Sequence, residues 1–259
     1  MNILNAVILS IVQGITEFLP ISSSGHLAIL QNIFKLTENA VFFDIILHLG
    51  TLLSVIIFLW KDIIEIFVGF FKFRKEYFVL VLKVVIAEIP ALIVGYFLNE
   101  KIKVLFVSPI YIGIAYFGTA LILFLTIFLR KERKNIFNIS YIDALIIGIF
   151  QCLALVPGFS RSGFTLFGAL LIGLNKKDAL KFSFLIAIPA IVGAYVFESL
   201  SQLNIHSIPI NIALISFVIS FLAGLSAIYL LFSVLKKSKL YIFGYYCLFL
   251  GILLLVWFL

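Results

Sequence analysis

Two polar strings break the longest apolar stretches of this chain: Glu17-Phe-Leu-Pro-Ile-Ser-Ser-Ser-Gly-His26 and Pro157-Gly-Phe-Ser-Arg-Ser-Gly-Phe-Thr165. The first lies within the apolar residues 3–34 and the second within the apolar residues 141–175. Neither region can be a single membrane helix, because a crossing takes about 20 apolar residues and the break leaves fewer on either side. Irregular backbone at membrane depth is tolerated only where it is buried in protein or lines a wet cavity. We therefore predict two re-entrant helical hairpins with the polar strings at their tips.

The composition around these strings is that of a membrane protein. The chain has 259 residues, of which 64% are hydrophobic and 12% charged, and its mean hydropathy is +1.25. Soluble domains are about 45–50% apolar and about 25% charged. The values exclude a disordered protein, a nucleic-acid-binding basic domain and an ordinary cytosolic enzyme, and they predict an all-α integral membrane protein. Besides the hairpins, we predict six transmembrane helices at residues 44–65, 78–98, 104–129, 182–199, 208–235 and 240–259.

The basic residues predict the orientation of the chain in the membrane. The net charge of +7 comes from four short clusters between the apolar spans, as expected for cytoplasmic loops. With the predicted spans and hairpins, all four clusters fall on one side. The first hairpin then enters from outside, the second enters from the cytoplasm, and the C-terminus lies outside. The clusters are Lys72, Arg74 and Lys75; Arg130, Lys131, Arg133 and Lys134; Lys176, Lys177 and Lys181; and Lys236, Lys237 and Lys239.

The two hairpin regions are related in sequence. A shift of 138 residues aligns residues 5–26 with residues 143–164 without a gap, and seven of the 22 positions are identical. Copies that enter the membrane from opposite faces form an inverted-topology repeat, whose site lies near the midplane where broken helices meet. We predict a single membrane domain, 1–259, with repeat one over about 3–129 and repeat two over about 141–259. The informative identities are Gln13 with Gln151, Ser22 with Ser160, Ser24 with Ser162, and Gly25 with Gly163.

Three ionisable side chains lie in the polar strings, far from the basic clusters: Glu17, His26 and Arg161. A charge inside the bilayer is costly and marks a functional site by default. The alternative is that these groups pair with one another only to stabilise the bundle. Arg161 presents a planar fork that matches phosphate oxygens, and a helix that restarts near Ser162 adds free N–H groups. We predict that the second tip binds an anion through Arg161 and its small or hydroxyl neighbours: Gly158, Ser160, Ser162, Gly163 and Thr165.

The first tip supplies acid–base and nucleophilic groups. The three serines at 22–24 are candidate nucleophiles. Glu17 is a candidate general base or metal ligand, and His26 is a candidate base, acid or nucleophile. Gln13 lies one helical turn before Glu17, so both side chains share a face of the helix. Their oxygens are a candidate site for a divalent cation; the alternative for Gln13 is an interhelical hydrogen bond.

The residues from Gln13 to His26 and from Pro157 to Thr165 resemble the two signature motifs of the bacterial undecaprenyl-diphosphate phosphatases, the BacA/UppP bacitracin-resistance family. The likeness covers nearly the whole chain and includes Phe43-Asp-Ile-Ile-Leu-His-Leu-Gly-Thr51 and Phe182-Ser-Phe-Leu-Ile-Ala-Ile-Pro189. It implies a membrane hydrolase that converts undecaprenyl diphosphate, a C55 isoprenyl lipid, to undecaprenyl phosphate and inorganic phosphate. That reaction recycles the lipid carrier for peptidoglycan and other envelope polymers and confers bacitracin resistance.

The resemblance also implies roles for particular residues. The family's essential acidic residue falls on Glu17, its essential histidine on His26 and its proposed nucleophilic serine on Ser23. Its phosphate-binding arginine falls on Arg161. The leading position of the first motif is Glu in some members and Gln13 here, which leaves one carboxylate fewer for a metal. The expected substrate-binding residues are Ser22, Ser24, Gly158, Ser160, Ser162, Gly163 and Thr165.

Further expectations follow from the resemblance. A divalent cation, Mg²⁺ or Ca²⁺, is expected at Glu17 and Gln13. The location is a bacterial plasma membrane, with the active site open to the outer face. The expected partners are the lipid substrate and the bilayer, without nucleic acid; a homodimer is left open. The working mechanism is attack by Ser23 with help from Glu17 or His26, while attack by His26 or by water stays open. A carrier or lipid flippase is the rival class, because carriers commonly have inverted repeats.

Polar residues outside the two strings receive other interpretations. Asp44 and His48 lie at the outer start of a predicted span, where we expect interfacial or packing groups. Glu88 lies inside a span and is expected to pair with Lys83 or to line the cavity. His206 precedes a proline in a short loop and is expected to be solvated.

Overall fold

The computed structural model describes residues 2–36, 40–129, 132–201 and 208–258. Its helices confirm the all-α class. Predictions on Arg130, Lys131 and His206 fall outside the described residues. The helices are α1 (Ile3–Phe18), α2 (Ser23–Ile33), α3 (Ala40–Phe58), α4 (Trp60–Phe71), α5 (Lys75–Val107), α6 (Pro109–Leu125, followed by a 3-10 turn at Thr126–Phe128), α7 (Tyr141–Leu153), α8 (Arg161–Leu171), α9 (Lys176–Ser201), α10 (Ile210–Lys236) and α11 (Tyr241–Phe258).

Both predicted hairpin regions form pairs of short helices that break at the polar strings. α1 ends at Phe18 and α2 begins at Ser23, whereas α7 ends at Leu153 and α8 begins at Arg161. In each pair a serine caps the second helix through its side-chain oxygen, which is the role that serine hydroxyls favour at helix N-termini. The helix breaks are thus confirmed, and the membrane face from which each hairpin enters stays a prediction.

Several helices can cross a membrane by length and composition. A further crossing results if α3 and α4 count as one bent span. The predicted span 182–199 lies in α9, which is outside this set, so the count of six transmembrane helices stays a prediction. Among the described residues, the helices that are long and apolar enough by themselves are Lys75–Leu98, Pro109–Phe128, Ile210–Lys236 and Tyr241–Phe258.

The predicted span 44–65 is bent rather than straight. α3 and α4 meet at an angle of 76°, so the last residues of that span leave the direction of α3. The charged side chains Lys61, Asp62 and Glu65 lie in this part, and charges are costly in the apolar interior of a bilayer. Asp62 instead forms an ion pair with Lys181 at the start of α9. α4 combines these charged side chains with apolar ones. Such a mixed composition is typical of a helix that lies at a membrane surface.

The break between the next two predicted spans lies further along the chain than expected. The apolar pattern predicts it between residues 98 and 104, whereas α5 continues to Val107 and α6 begins at Pro109. Proline has no N–H to donate and is favoured in the first turn of a helix. The proline therefore sets this boundary.

Two of the basic clusters lie side by side. The backbone N–H groups of Arg133 and Lys134 both donate to the carbonyl oxygen of Gly173, each at 2.9 Å. Lys176 forms an ion pair with Glu132 at 3.3 Å. These contacts support the prediction that the two clusters share one side of the membrane; which side that is stays a prediction.

The helix contacts of the first predicted repeat have equivalents in the second, as expected for two copies of one structure. α1 packs on α10 as α7 packs on α5, and α3 packs on α10 as α9 packs on α5. α6 and α11 pack on each other. Exchanging α1 with α7, α3 with α9, α5 with α10 and α6 with α11 leaves this set of contacts unchanged. The pattern supports the inverted repeat, whose orientation and bounds stay predictions.

Glycines allow two of these helix pairs to approach closely. A Cβ on Gly148 of α7 would lie 2.3 Å from the carbonyl oxygen of Ala87 in α5. A Cβ on Gly14 of α1 would lie 2.5 Å from the Cβ of Ala223 in α10. Small residues at such contacts are typical of helix packing in membranes. Gly193 of α9 is different, because a Cβ there would meet nothing within 4 Å.

We expect Gly148→Ala to destabilise the protein by about 1–3 kcal/mol, the usual cost of overpacking, because α5 and α7 must move apart. Gly193→Ala is the matched control, and we expect it to keep or raise stability, since alanine is the better helix former by about 1 kcal/mol. Thermal unfolding of both variants in one detergent measures the difference. Equal melting temperatures would contradict the close-packing interpretation.

Candidate active site

The two hairpin tips meet and are held together by serine and backbone groups. The Oγ of Ser22 accepts hydrogen bonds from the backbone N–H of Gly158, at 3.1 Å, and of Gly25, at 3.3 Å. The hydroxyl of Ser162 in the second tip donates to the carbonyl oxygen of Leu19 in the first, at 3.2 Å. The two polar strings therefore form one buried site.

Glycine is required where the two tips pack against α6. Gly158 has a φ of +96°, a left-handed conformation that glycine adopts without strain. A Cβ on Gly158 would lie 2.6 Å from the carbonyl oxygen of Ile112, and a Cβ on Gly25 would lie 2.7 Å from the hydroxyl of Tyr116. The structure thus gives Gly158 a packing role; a contact with substrate stays a prediction.

Glu17 is the centre of the site. Its side chain is buried, with the residue 6% exposed. Its Oε2 accepts hydrogen bonds from the Ser23 hydroxyl, at 2.6 Å, and from the Gln13 Nε2, at 3.0 Å. A hydroxyl in this position can pass its proton to the carboxylate, which is the arrangement of a nucleophile beside its base. The structure therefore brings together the predicted base and the predicted nucleophile.

Arg161 lies across the junction from Glu17. Its Nη2 forms an ion pair and hydrogen bond with the Oε1 of Glu17, so the mutual pairing considered from the sequence does occur. Its Nη1, however, is buried without a hydrogen-bond partner. Buried polar groups are almost always satisfied, so a purely structural ion pair does not account for this half of the fork. Arg161 retains a donor for a further acceptor.

The predicted anion-binding hydroxyls near Arg161 have partners within the protein. Ser160 caps α8, with its Oγ accepting from the N–H of Gly163 at 3.2 Å. That Oγ also lies 3.2 Å from the hydroxyl oxygen of Ser162. The backbone N–H of Ser160 donates to the Thr119 Oγ1, at 3.1 Å. These contacts fix the start of α8 at the tip; direct contact of these residues with a substrate stays a prediction.

Thr165 lies one turn further into α8. Its hydroxyl donates to the Arg161 carbonyl oxygen, at 2.9 Å, and its oxygen lies 2.5 Å from the hydroxyl oxygen of Ser183 in α9. With the residue only 1% exposed, this hydroxyl connects α8 to α9. Thr165 therefore supports the backbone of Arg161, and a role in substrate binding stays a prediction.

His26 contacts tyrosines rather than the carboxylate. Its Nδ1 lies 2.7 Å from the Ser22 carbonyl oxygen and 2.9 Å from the Tyr116 hydroxyl, and its Nε2 lies 2.8 Å from the Tyr246 hydroxyl. Because a carbonyl only accepts, Nδ1 carries the proton, and in a neutral ring Nε2 accepts from Tyr246. Sequence reasoning missed both tyrosines, because they lie in α6 and α11 and no motif around them indicates a functional role.

His48 is a second group that sequence reasoning placed elsewhere. Expected to be interfacial, it has its Nε2 3.7 Å from the Oε2 of Glu17, while its Nδ1 donates to the Asp44 carbonyl oxygen at 2.7 Å. His48 is therefore a third side chain, besides Ser23 and Gln13, that lies beside this oxygen of Glu17. The sequence signal that could have indicated this position was a row of polar residues at helical spacing, Asp44, His48 and Thr51.

The predicted metal pair is present but is not arranged as two ligands. Gln13 turns its amide nitrogen toward Glu17, and its Oε1 is buried without a partner. A cation held by both residues requires the amide to turn round. In the described part of the chain, no three His, Cys, Asp or Glu side chains assemble as a metal-ligand set. The residues therefore fit a cation only if the substrate supplies further oxygens.

Glu88 resembles Glu17 in one respect. Its Oε2 accepts a hydrogen bond from the Gln151 Nε2, at 3.0 Å. Of the two expectations for this residue, pairing with Lys83 is not what the structure has, because the Lys83 Nζ donates to the Phe137 carbonyl oxygen at 2.8 Å. Glu88 instead lines a cavity of about 620 Å³ between α4, α5 and α9 whose other lining residues are apolar. None of these residues belongs to the hairpin tips, so this is not the wet cavity of the site that the sequence led us to expect.

The fold and the site together define an α-helical integral membrane protein in which a hydroxyl, a carboxylate and a guanidinium meet below the surface. Such a set is suited to attack on a phosphorylated group. The chain belongs to the family described as bacitracin resistance protein BacA, whose family model matches residues 6–253.

Proteins named undecaprenyl-diphosphatase are similar to this chain over nearly its whole length. The one from Thermosipho africanus is 46% identical over 250 residues, which cover 96% of this chain and 98% of that protein. The one from Methanococcus maripaludis strain C7 is 46% identical over 241 residues, covering 93% and 94%. The one from Carboxydothermus hydrogenoformans is 40% identical over 260 residues, covering 99% and 97%.

We expect Ser22→Ala to lower stability by about 1–3 kcal/mol, the cost of leaving buried donors unpaired, because Gly25 and Gly158 lose their acceptor. Ser226→Ala is the control. Ser226 is exposed on α10 and its hydroxyl donates to the Leu222 carbonyl oxygen of its own helix, at 3.0 Å, so we expect a change within about 0.5 kcal/mol. Thermal unfolding in detergent measures both. A Ser22→Ala protein as stable as Ser226→Ala would show that this bridge does not hold the tips together.

Proposed function

We propose that this chain is an undecaprenyl-diphosphatase, which hydrolyses undecaprenyl diphosphate to undecaprenyl phosphate and inorganic phosphate. The observation that carries the proposal is the cluster of Glu17, Ser23 and Arg161. The Ser23 hydroxyl donates to one oxygen of the carboxylate, and the guanidinium binds the other. Membership of the BacA family and the names of the similar proteins support the same activity.

The two parts of such a substrate need different surroundings. The C55 isoprenyl tail is apolar and can stay in the bilayer beside the helices. The diphosphate head is anionic and needs donors, which the unpaired Nη1 of Arg161 and the N-terminus of α8 supply. Head and tail can therefore occupy the site without the tail leaving the membrane.

Ser23 is the proposed nucleophile. Its oxygen attacks the terminal phosphorus while its proton passes to Glu17, and the bond from phosphorus to the bridging oxygen breaks. Glu17 gives the proton to the departing undecaprenyl phosphate. It then takes a proton from the water that attacks the phosphoserine and returns it to the Ser23 oxygen as inorganic phosphate leaves. Arg161 turns from Glu17 to the transferring phosphoryl group, whose charge it stabilises.

There are two alternatives to attack by Ser23: attack by His26, or direct attack by water. We favour Ser23 because its hydroxyl is already bonded to a carboxylate base, at 2.6 Å. Both ring nitrogens of His26 have partners in Ser22, Tyr116 and Tyr246. An attack by His26 requires at least one of these contacts to break first.

A divalent cation, Mg²⁺ or Ca²⁺, is part of the proposal. Glu17 offers a carboxylate oxygen, and Gln13 offers an amide oxygen that has no partner. Mg²⁺ is commonly bound through one or two carboxylates together with substrate phosphates. When bound, the ion neutralises charge on the diphosphate.

We place this multi-pass protein in a bacterial plasma membrane, with the basic clusters in the cytoplasm and the active site open to the outer face. The excess of lysine and arginine between apolar spans supports this orientation. In that position the enzyme recycles the lipid carrier for peptidoglycan and other envelope polymers. Removal of the diphosphate lipid is also how it confers bacitracin resistance.

We expect Ser23→Ala to reduce phosphate release from undecaprenyl diphosphate in detergent to the background rate, because the nucleophile is lost. Ser226→Ala is the matched control. Ser226 is exposed on α10 with its hydroxyl bonded within its own helix, and we expect full activity. Substrate labelled at the terminal phosphate should leave acid-stable phosphoserine on quenched wild-type enzyme. Acid-labile phosphate on His26, or wild-type turnover by Ser23→Ala, would contradict the assignment.

We expect Gln13→Glu to lower the Mg²⁺ concentration that half-activates the enzyme, because a second carboxylate beside Glu17 attracts a divalent cation more strongly. Phosphate release is measured across a Mg²⁺ titration after removal of metal with a chelator. Wild-type activity that survives the chelator would contradict the cation requirement. An unchanged half-activating concentration in the variant would show that the ion binds elsewhere.

A further inference from the structure

Ser22, the residue before the proposed nucleophile, has a backbone conformation that serine rarely adopts. Its φ is +65° and its ψ is +93°. In the described part of the chain, the other non-glycine residues with a positive φ follow a helix end, where such a conformation commonly terminates the helix; they are Lys35, Phe73 and Ser238. Ser22 instead precedes α2. Backbone strain of this kind persists only where the surroundings hold it, and it is concentrated at active sites.

Hydrogen bonds hold Ser22 through both its side chain and its carbonyl group. Its Oγ accepts from the backbone N–H groups of Gly25 and Gly158. Its carbonyl oxygen accepts from the backbone N–H of His26, at 3.3 Å, and from the His26 Nδ1, at 2.7 Å. The ring contact is the shorter of the two, so the imidazole of His26 is a main support of the strained turn.

Tyr246 of α11 sets the tautomer of His26. The Tyr246 hydroxyl lies 2.8 Å from Nε2. A hydroxyl that donates there leaves the single proton of a neutral ring on Nδ1, facing the Ser22 carbonyl oxygen. Without this donor the proton can move to Nε2, and Nδ1 then turns a lone pair toward the carbonyl. The tautomer that supports Ser22 therefore depends on a hydroxyl from another helix.

Two aromatic rings also fix the plane of the imidazole. The Tyr246 ring is parallel to it, with 2° between the planes and 5.8 Å between the ring centroids. The Tyr116 ring meets it edge-on, at 88° and 5.7 Å, and the Tyr116 hydroxyl lies 2.9 Å from Nδ1. The thiol of Cys247, next to Tyr246, contacts the Pro20 carbonyl oxygen at 3.7 Å. α6 and α11, which pack on each other, thus support the first tip together.

We propose that Tyr246 is a positioning residue for the reaction. Through His26 it holds Ser22 in the strained conformation, and the next residue, Ser23, is thereby directed at Glu17. A reacting group that is misplaced by about 1 Å can cost about 100-fold in rate, so a hydroxyl that acts only through His26 can control kcat. His26 then supports the first tip and does not react with phosphorus. The inference rests on the proposed phosphatase activity and deepens it.

The first test removes one hydroxyl. Tyr246→Phe keeps the ring that stacks on His26 and loses the donor to Nε2. We expect kcat for phosphate release to fall by about 10- to 100-fold with KM unchanged, because Ser23 is misdirected while the anion-binding groups of the second tip are intact. Tyr245→Phe is the matched control, since Tyr245 is exposed on the same helix, and it should behave as wild type. Wild-type kcat in Tyr246→Phe, with or without a change in KM, would overturn the inference.

The second test separates positioning from chemistry at His26. An asparagine amide can donate an N–H near the place of Nδ1, but it cannot act as a nucleophile or carry a proton. We expect His26→Asn to be at least about 10-fold more active than His26→Ala, which supplies no donor. In the His26→Asn background, Tyr246→Phe should have little further effect, because its partner nitrogen is gone. Equal inactivity of the two His26 variants, or additive losses in the double variant, would overturn the inference.

The third test detects the tautomer without measuring activity. The chain has three histidines, so protein labelled with ¹⁵N-histidine gives few ring signals, and His26→Asn identifies those of His26. We expect the wild-type protein in detergent to carry the proton on Nδ1, and Tyr246→Phe to show a larger share of the Nε2 tautomer. A wild-type ring protonated mainly on Nε2, or the same tautomer in both proteins, would overturn the inference.

Failure of the proposed function is distinguishable from failure of the inference. If wild-type protein releases no phosphate, the proposed function fails and the positioning role falls with it, whatever the tautomer. An active wild type with an unaffected Tyr246→Phe variant refutes the inference alone. Gel filtration and thermal unfolding establish that each variant is folded. If Tyr246→Phe is not folded, the comparison of His26→Asn with His26→Ala and the wild-type tautomer decide the matter.

Discussion

The ion pair between Glu17 and Arg161 is the contact on which the rest of the structure depends. Each charge lies on a different hairpin, and neither is tolerable in an apolar interior without the other. The Ser22 bridge and the glycines at the tips bring the two strings close enough for the pair to form. Because Arg161 is also proposed to bind the phosphoryl group and Glu17 to take the proton from Ser23, docking of the hairpins and assembly of the active site are one event.

The sequence predicted the parts of this arrangement that depend on local composition. Polar strings inside apolar runs located both helix breaks, since the cost of irregular backbone and of charge in a bilayer is large and local. The nearness of Ser23 to Glu17 followed from a shared string. Arg161 was placed opposite them because the second string is a copy of the first at the same position in its own apolar region.

Local composition could not predict the side chains that tertiary packing brings to the site from other helices. Tyr116 and Tyr246 look like ordinary aromatic residues of apolar helices, and only the packing of α6 and α11 beside α2 brings their hydroxyls to His26. Glu88 reaches Gln151 because α5 and α7 approach at a glycine. The bend before α4 was not predicted either, because the mean hydropathy of the span 44–65 conceals three charged residues near its end.

The tip-to-tip contact also has a consequence for biosynthesis. Arg161 follows Glu17 by 144 residues along the chain, so the ribosome delivers the first hairpin to the membrane well before its counter-charge exists. Until α8 arrives, the Glu17 carboxylate has either to carry a proton or to remain near the water interface. Insertion of the second hairpin is therefore the step that allows the first to take its final position, and this can happen only after translation has passed α8.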